Sequence, residues 1–495
     1  MAKEFKDGDQ EGLFAATPPL EALKLILSIA ATVDAEDHGE ENVVMVNDVA
    51  RAFFEAKVRR QVCVELPDEA DTEGYAPGEA VGLLELSLYG TRDAAANFQQ
   101  EVKDFMTKAA FKQSRYNPAM YYHPERNIRT LVHGDDFVTV ARRKEAKWLK
   151  ELLESRFEIK TKVIGTGPDE VKEARALNRL IRVTGGGWEY EADQRHAEII
   201  VKSMGMESAS GVASPGEDEK AWEAEEGERA LPEREASEFR RLAARANYLA
   251  LDRMDIQFAV KELCRGMAKP TKRHMSMLRR LARYLRAVPR VILEFRFQGR
   301  PSEITVYSDS DWAGCRRTAK STSGGIIMRG AHCLKSWSCT QKNVTLSSAE
   351  AELVAAVKAS TEALGMVQLE AEWGNKMNAE VYVDSSAALA VTAINGNSKL
   401  RHVKVGSLWI QERQLQGDLN LHKIQGTANP ADALTKHLAG AKIWLHAERA
   451  GQRKELGRAD LSLKISALRR RAAAARQMAA AEGECEDIPM YIGHP

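Results

Sequence analysis

Apolar positions recur along the chain with two spacings, and each spacing predicts a different kind of element. Spacings of three and four residues predict helices, as in the segments Pro18–Ala31, Ala94–Ala110, Lys144–Phe157 and Ala236–Arg286. The continuous apolar run Asn42–Val49 predicts a buried strand, and the apolar arms of Thr130–Ala141 predict a hairpin. From about Ile304 to Leu438, strands and helices alternate. The pattern therefore predicts a multidomain α+β fold.

The amino-acid composition is typical of a folded protein without membrane spans. The 495 residues are 44% hydrophobic and 29% charged, which excludes wholesale disorder. The longest apolar stretch, Leu20–Val33, contains Glu21, Lys24 and Ser28 and is too short for a bilayer span, so no membrane association is expected. Six cysteines without a Cys-x-x-Cys pair favour a reducing compartment. We therefore expect an intracellular protein of the cytoplasm or nucleus.

Charge is distributed unevenly although its total is zero. Lys and Arg number 71, as do Asp and Glu. Residues 217–238, here called the acidic segment, carry a net charge of −7 and predict a solvated linker. Residues 261–300, here called the basic stretch, carry +10 with apolar residues at helical spacing. Either a solvated helix face or a surface that contacts a polyanion explains this second imbalance.

Three carboxylates form a candidate metal site in the first third of the chain. Asp48 ends the apolar strand, and Asp135 and Asp136 lie at the turn of the predicted hairpin. Carboxylates at strand ends suit hard cations such as Mg²⁺, which prefer oxygen ligands and stabilise charge in phosphoryl transfer. The Asp-Asp pair taken alone favours an ordinary polar turn, so both interpretations stay open at this point.

The segments around these acids carry a family resemblance. In chain order they are Asp48-Val-Ala-Arg-Ala-Phe-Phe-Glu-Ala56, Leu86-Ser-Leu-Tyr-Gly90 and Val132-His-Gly-Asp-Asp-Phe137. Together they resemble the reverse transcriptase of copia-type retrotransposon Pol polyproteins. The resemblance implies that Asp48, Asp135 and Asp136 hold two Mg²⁺ ions, with Mn²⁺ as an alternative, and are the catalytic acids.

The same resemblance implies a nucleotide pocket. Phe53 would block the ribose 2′-hydroxyl of the incoming nucleotide, and Tyr89 and Gly90 would border the pocket; from the residues alone, Phe53 is an ordinary core aromatic. The substrates implied are deoxynucleoside triphosphates, an RNA template and a DNA primer. The family's earlier fingers strands have no counterpart before Asp48, so truncated fingers are expected.

A second set of acids occurs where strands end and helices begin in the last third of the chain. Asp309 and Asp384 lie at strand ends, Glu352 lies in a predicted helix, and Asp432 opens a short helix. Four clustered carboxylates repel one another unless cations neutralise them, which favours a two-metal nuclease. Any one of these acids taken singly is more often a surface residue.

This region resembles the copia-type ribonuclease H. The matching segments are Tyr307-Ser-Asp-Ser-Asp-Trp-Ala-Gly314, Lys320-Ser-Thr-Ser-Gly324, Leu346-Ser-Ser-Ala-Glu-Ala-Glu352 and Ala431-Asp-Ala-Leu-Thr-Lys436. The resemblance implies that the catalytic, metal-binding acids are Asp309, Glu352, Asp384 and Asp432. Their neighbours Asp311 and Glu350 are the alternatives. The substrate implied is an RNA–DNA hybrid, recognised through 2′-hydroxyls and shape.

The expected organisation has polymerase palm and fingers, a helical thumb or connection, and a ribonuclease H-like mixed α/β domain. The predicted bounds are 1–205 for truncated fingers and palm, 206–238 for the linker, 239–300 for the thumb or connection, 301–440 for the ribonuclease H-like domain and 441–495 for an Ala/Arg-rich tail.

The predicted function is RNA-directed DNA polymerase joined to ribonuclease H in a retrotransposon Pol fragment. Two alternatives stay open. A decayed element would retain ribonuclease H activity alone, and a remnant would bind nucleic acid without catalysis.

Overall fold

A computed structural model of the chain describes residues 13–33, 41–66, 74, 80–218, 227–393 and 405–465, except for the side chains of 405–408. These residues form two compact units. Unit 1 contains the described residues up to Ile26 and from Glu41 to Val163, and unit 2 contains those from Leu27 to Val33 and from Ile164 to Ile465. Residues 219–226 of the acidic segment and the tail beyond Ile465 lie outside the described residues.

The first part of the chain forms one larger sheet flanked by helices. Its described strands have the order β4-β5-β6-β7-β1-β8. The elements up to Ile164 are α1 (Leu20–Ala30), β1 (Asn42–Val49), β2 (Cys63–Glu65), β3 (Val81–Leu83), α2 (Ala94–Lys108), β4 (Lys112–Gln113), β5 (Met120–His123), β6 (Ile128–His133), β7 (Asp136–Arg142), α3 (Arg143–Glu154) and β8 (Ile159–Ile164).

Strand β1 lies inside this sheet, which explains its apolar sequence. Residues 43–47 are buried because β7 and β8 flank the strand and both of its faces are covered. Met45, Phe98 of α2 and Leu149 of α3 belong to the same hydrophobic core. The strand predicted from the apolar run is therefore confirmed with its predicted bounds.

Unit 2 combines two sheets with a helical layer. Its elements are β9 (Glu173–Ala176), β10 (Arg179–Thr184), β11 (Gly187–Glu191), α4 (Arg195–Ser203), α5 (Glu233–Ala250), α6 (Met254–Cys264), α7 (Lys272–Ala287), β12 (Arg290–Arg296), β13 (Glu303–Asp311), β14 (Thr322–Arg329), β15 (His332–Thr340), α8 (Ser348–Glu372), β16 (Asn378–Val383), α9 (Ser386–Thr392), α10 (Val405–Leu415), β17 (Asn420–Lys423), α11 (Gly440–Arg449) and β18 (Gln452–Glu455).

The two sheets of unit 2 differ in topology. In the described chain, one has the order β18-β12-β11-β10-β9, and the other has the order β15-β14-β13-β16-β17. In the second sheet β13 pairs antiparallel with β14 and parallel with β16, and α8 packs against β13 and β16. This mixed sheet places the ends of β13 and β16 side by side, next to the start of α8.

The multidomain α+β class is confirmed, but the structure groups some segments differently from the sequence pattern. Strands β9–β11 and β18 share a sheet with β12, so residues on both sides of the predicted boundaries at 205 and 440 belong to unit 2. Trp444 of α11 packs into the helical core and donates to the Tyr284 hydroxyl at 3.1 Å. Pairing between segments so far apart leaves no local signal. Within the ranges described, no helix has the length and apolarity of a membrane span.

Candidate active sites

Three acids meet at the end of the central sheet of unit 1. Asp48 of β1 lies directly opposite Asp136 of β7 in the antiparallel ladder, and the Val49 N–H donates to the Asp135 carbonyl at 3.0 Å. Carboxylate oxygens of Asp48, Asp135 and Asp136 lie within 4.8 Å of one another. We call this group cluster 1. The structure thus brings together all three acids predicted for the first site.

The hairpin turn exposes cluster 1 to solvent. Gly134 has a φ of 63°, a conformation that glycine adopts without strain, and it turns the chain between β6 and β7. Asp48 and Asp135 are exposed, and Asp136 is half-buried. Burial, followed by repulsion from Asp135 and Asp48, raises the pKa of Asp136 to about 6. The site therefore holds more negative charge than its own residues neutralise.

Two of the predicted pocket residues contact each other. Phe53 lies in a short 3₁₀ helix, Ala52–Glu55, that follows β1, and its ring centroid is 4.4 Å from that of Tyr89. Phe53 also meets Phe98 of α2 edge-on at 6.4 Å and is half-buried, so it is anchored on the core side. Gly90 has a φ of 105° directly after Tyr89, which requires glycine.

A second group of acids meets in unit 2. Asp309 lies in β13, Glu352 lies in the second turn of α8, and Asp384 directly follows β16. Their carboxylate oxygens lie within 4.8 Å of one another, and Asp309 and Glu352 are 3% and 7% exposed. We call this group cluster 2. It is more buried than cluster 1, so its charges are more costly.

Electrostatics in cluster 2 disfavour three simultaneous negative charges. Burial, together with the charges of Asp309 and Asp384, raises the pKa of Glu352 to about 8. Burial, opposed by the Thr435 hydrogen bond, raises the pKa of Asp309 to about 7. The pKa of Asp384 is also raised, chiefly by burial. Such shifts in a group of adjacent carboxylates are typical of functional sites.

The donor set of both clusters fits a hard divalent cation. All ligand atoms are carboxylate oxygens, which Mg²⁺ prefers. In cluster 2, the Oε2 atom of Glu352 is buried and has no hydrogen-bond partner in the part of the chain that the structure describes. A buried carboxylate oxygen without a partner is costly, and a bound cation would satisfy it.

Asp432, the fourth predicted acid, lies outside the group of three. Its carboxylate forms an ion pair with Lys436, although its charge still raises the pKa of Asp309 and Asp384. Asn429 holds this turn against the sheet: its Nδ2 donates to the Ser308 carbonyl at 2.9 Å. Asp432 is therefore a neighbour of cluster 2 whose negative charge is balanced within its own turn.

The two alternative acids have other roles. Asp311 accepts a hydrogen bond from the Thr322 backbone N–H across the sheet. Glu350 accepts from the Leu346 backbone N–H at 2.7 Å in the first turn of α8. Neither belongs to the group of three, so the structure distinguishes them from Asp309 and Glu352.

Thr435, Lys436 and Gly324 were not assigned roles from the sequence. The Thr435 hydroxyl donates to Asp309, and Lys436 pairs with Asp432. A Cβ atom at Gly324 of β14 would lie 2.8 Å from the Thr435 side chain, so glycine permits this close approach. All three residues lie within the sequence motifs quoted above, so the sequence marked their positions. Their roles beside Asp309 and Asp432 follow only from the contacts.

The chain is similar to known proteins over most of its length. Residues 4–166 match the family described as reverse transcriptase (RNA-dependent DNA polymerase). The chain is 26% identical to the Retrovirus-related Pol polyprotein from transposon TNT 1-94 of Nicotiana tabacum. This match extends over 460 residues and covers 90% of this chain and 33% of the relative. Over 415 residues, 82% of this chain and 27% of the relative, it is 25% identical to that from transposon RE1 of Arabidopsis thaliana.

The chain can also be superposed on a solved structure of the foamy viral protease-reverse transcriptase in complex with RNA/DNA hybrid, with a TM-score of 0.47 and 11% sequence identity. The match covers 81% of this chain and 45% of the viral chain. The chain spans about a third or less of the curated relatives' length. The chain is thus similar to the Pol polyproteins of copia-type plant retrotransposons, and its residues 4–166 match the reverse transcriptase family.

Proposed function

We propose that this chain is an RNA-directed DNA polymerase joined to a ribonuclease H, and that both sites transfer phosphoryl groups with two Mg²⁺ ions each. The observation that carries the proposal is the pair of three-carboxylate groups, one in each unit, with oxygens within 4.8 Å. One such group is often incidental on a protein surface. Two groups, each on the acids of a matching motif, support two separate active sites.

Cluster 1 would hold the metals of the polymerase site. When bound at either cluster, the ions supply charge stabilisation for the attacking and leaving oxygens. Asp48, Asp135 and Asp136 contribute fixed negative charge at the rim of a rigid sheet, where the strand register holds Asp48 and Asp136 opposite each other. Phe53, packed on Tyr89, would exclude a 2′-hydroxyl by occupying its space.

Cluster 2 would hold the metals of the ribonuclease H site. Asp309, Glu352 and Asp384 would hold the ions, and Asp309 and Glu352 would release protons on binding, because their pKa values are raised to about 7 and about 8. Thr435 orients Asp309 through its hydroxyl. Asp432 would join the ligand set by exchanging its ion pair with Lys436 for a cation.

The proposed partners are an RNA template, a DNA primer, deoxynucleoside triphosphates and an RNA–DNA hybrid. The basic stretch supports this, since it forms α7 and neighbouring segments with an excess of positive charge. In functional terms, we assign fingers and palm to unit 1, and thumb or connection and ribonuclease H to unit 2. An intracellular location, cytoplasmic or nuclear, is supported by the free thiols of the five described cysteines.

Two assays run side by side test the proposal. Primer extension on a homopolymer RNA template measures the polymerase, and cleavage of an RNA–DNA hybrid measures the nuclease, each with and without chelator. Asp135→Asn should abolish extension and leave hybrid cleavage intact, and Glu352→Gln should do the reverse. Cleavage by the unaltered chain without extension would select the decayed element. Binding of hybrid with neither activity, in Mg²⁺ or Mn²⁺, would select the non-catalytic remnant.

A further inference from the structure

The described parts of the acidic segment form contacts that the solvated linker predicted from its composition would not form. On both sides of residues 219–226, its described parts lie against the basic stretch. The carboxylate of Glu217 is 2.7 Å from Arg280 of α7, and that of Glu228 is 3.7 Å from Arg273 of α7. Glu228 also pairs with Arg317 at 3.3 Å. The two oppositely charged regions of the sequence are therefore paired in the fold.

Backbone contacts keep the acidic segment in place beside α7. The Lys272 N–H donates to the Arg229 carbonyl and the Leu231 N–H donates to the Pro270 carbonyl, both at 3.0 Å. These bonds form an isolated antiparallel bridge between Ala230 and Thr271. The side chain of Leu231 packs on the helical core of unit 2. Residues 229–231 are tethered, so the carboxylate of the adjacent Glu228 has a high effective concentration at the arginines.

The ion pairs themselves are exposed and weak. The side chains of Glu217 and Glu228 are 52% and 44% exposed, and surface pairs of this kind contribute little to stability. Between the described parts of the acidic segment and α7 lies a cavity of about 490 Å³, whose lining includes Glu217, Arg280, Cys315 and Lys436.

The face also adjoins cluster 2. Thr435 and Lys436 line the same cavity, and the Thr435 hydroxyl donates to Asp309. A chain of phosphates lying along Arg273, Arg280 and Arg317 would therefore share this cavity with Thr435, which contacts the proposed nuclease site. Phosphate oxygens and carboxylate oxygens compete for the same guanidinium donors.

We propose that Arg273, Arg280 and Arg317 form a binding site for the phosphate backbone of nucleic acid, and that the acidic segment of the same chain occupies this site through Glu217 and Glu228. Nucleic acid binds by displacing the two carboxylates, so the segment acts as an internal competitor that weakens binding. The inference rests on the proposed function in one respect: the partner is a nucleic acid.

The test measures binding of a fluorescent RNA–DNA hybrid by anisotropy in chelator, where no cleavage interferes. Glu217→Gln combined with Glu228→Gln should tighten binding by about 3- to 10-fold at low salt, as expected for two exposed pairs released from competition. The control is Glu412→Gln combined with Asp418→Asn, two acids paired with Arg413 elsewhere in unit 2 at 2.9 and 3.0 Å. It changes the net charge equally and should alter binding by less than about 2-fold.

A second pair of substitutions separates competition from a general charge effect. Arg273→Gln combined with Arg280→Gln should weaken binding, and adding the two glutamate substitutions to it should then give no further tightening. Equal tightening by the control, or purely additive effects in the fourfold variant, would overturn the proposal.

Failure of this inference differs from failure of the proposed function. If the variants behave as expected while the chain neither extends primers nor cleaves hybrid, the role of the acidic segment as competitor is supported and the proposed activities are refuted. If both activities are present and the glutamate variant binds hybrid like the control, the proposed activities are supported and the role of the acidic segment as competitor is refuted.

Discussion

Glu352→Gln removes one of the three charges of cluster 2 and should stabilise the metal-free protein at high pH. Unfolded, this carboxyl ionises near pH 4.5, whereas in the fold burial and the charges of Asp309 and Asp384 raise its pKa to about 8. Between these values the folded state binds more protons, so stability falls as pH rises. The cost of ionisation is roughly 4 kcal/mol at pH 8 and about 1 kcal/mol at pH 5.

The informative quantity is therefore the difference between the two pH values. A buried amide carries a penalty of its own, roughly 1–3 kcal/mol, but this penalty is the same at both pH values. The increase in the free energy of unfolding caused by Glu352→Gln should therefore be about 3 kcal/mol larger at pH 8 than at pH 5. Saturating Mg²⁺ should erase the advantage, because the cation neutralises the unaltered cluster.

Amide hydrogen exchange of strand β13 in chelator measures this local stability without requiring the whole chain to unfold in one step. The control is Glu350→Gln, two residues away, which keeps an acceptor for the Leu346 N–H and lies outside cluster 2. If the gain from Glu352→Gln were the same at pH 5 and pH 8, repulsion among buried carboxylates would not be the property that defines cluster 2.

Three further predictions concern residues around the two sites and the core of unit 2. Phe53→Val should reduce discrimination against ribonucleotides by at least about 10-fold in primer extension, because the space for a 2′-hydroxyl opens. Arg329→Met breaks a buried 2.6 Å ion pair with Glu370 and should lower the free energy of unfolding by about 3–5 kcal/mol in urea denaturation. Thr435→Val removes a hydrogen bond that lowers the pKa of Asp309, so the acid limb of the pH–rate profile for hybrid cleavage should move to higher pH.

Each of these predictions has a matched control. Phe54→Val changes the neighbouring exposed aromatic, which meets Tyr89 edge-on at 5.7 Å, and should affect sugar selection less than Phe53→Val does; an equal effect would refute the role of Phe53. Arg296→Met breaks an exposed pair with Glu294 and should cost less than about 1 kcal/mol. Thr435→Ser keeps the hydroxyl and should keep the pH profile, so a shift there would point to packing rather than to the hydrogen bond.

The sequence by itself determined the local elements and the identities of the candidate acids. The run Asn42–Val49 specifies a strand covered on both faces, because only such a strand tolerates five consecutive buried positions. Placing Asp48 at its end and Asp135-Asp136 at a hairpin tip was enough to predict cluster 1, since neighbouring strands bring their ends together. The order of the motifs then carried the resemblance to copia-type Pol polyproteins, and the similar relatives agree with it.

Only the tertiary structure decided which distant groups meet. Asp309, Glu352 and Asp384 converge because β13 and β16 pair in parallel under α8, whereas Asp432 pairs with Lys436 one turn away. The acidic segment and the basic stretch nearly cancel in the sequence total, yet their pairing through Glu217 and Arg280 appears only in the fold. The physical reason is that periodicity reports the burial of one element at a time, while contacts between remote segments depend on how whole layers pack.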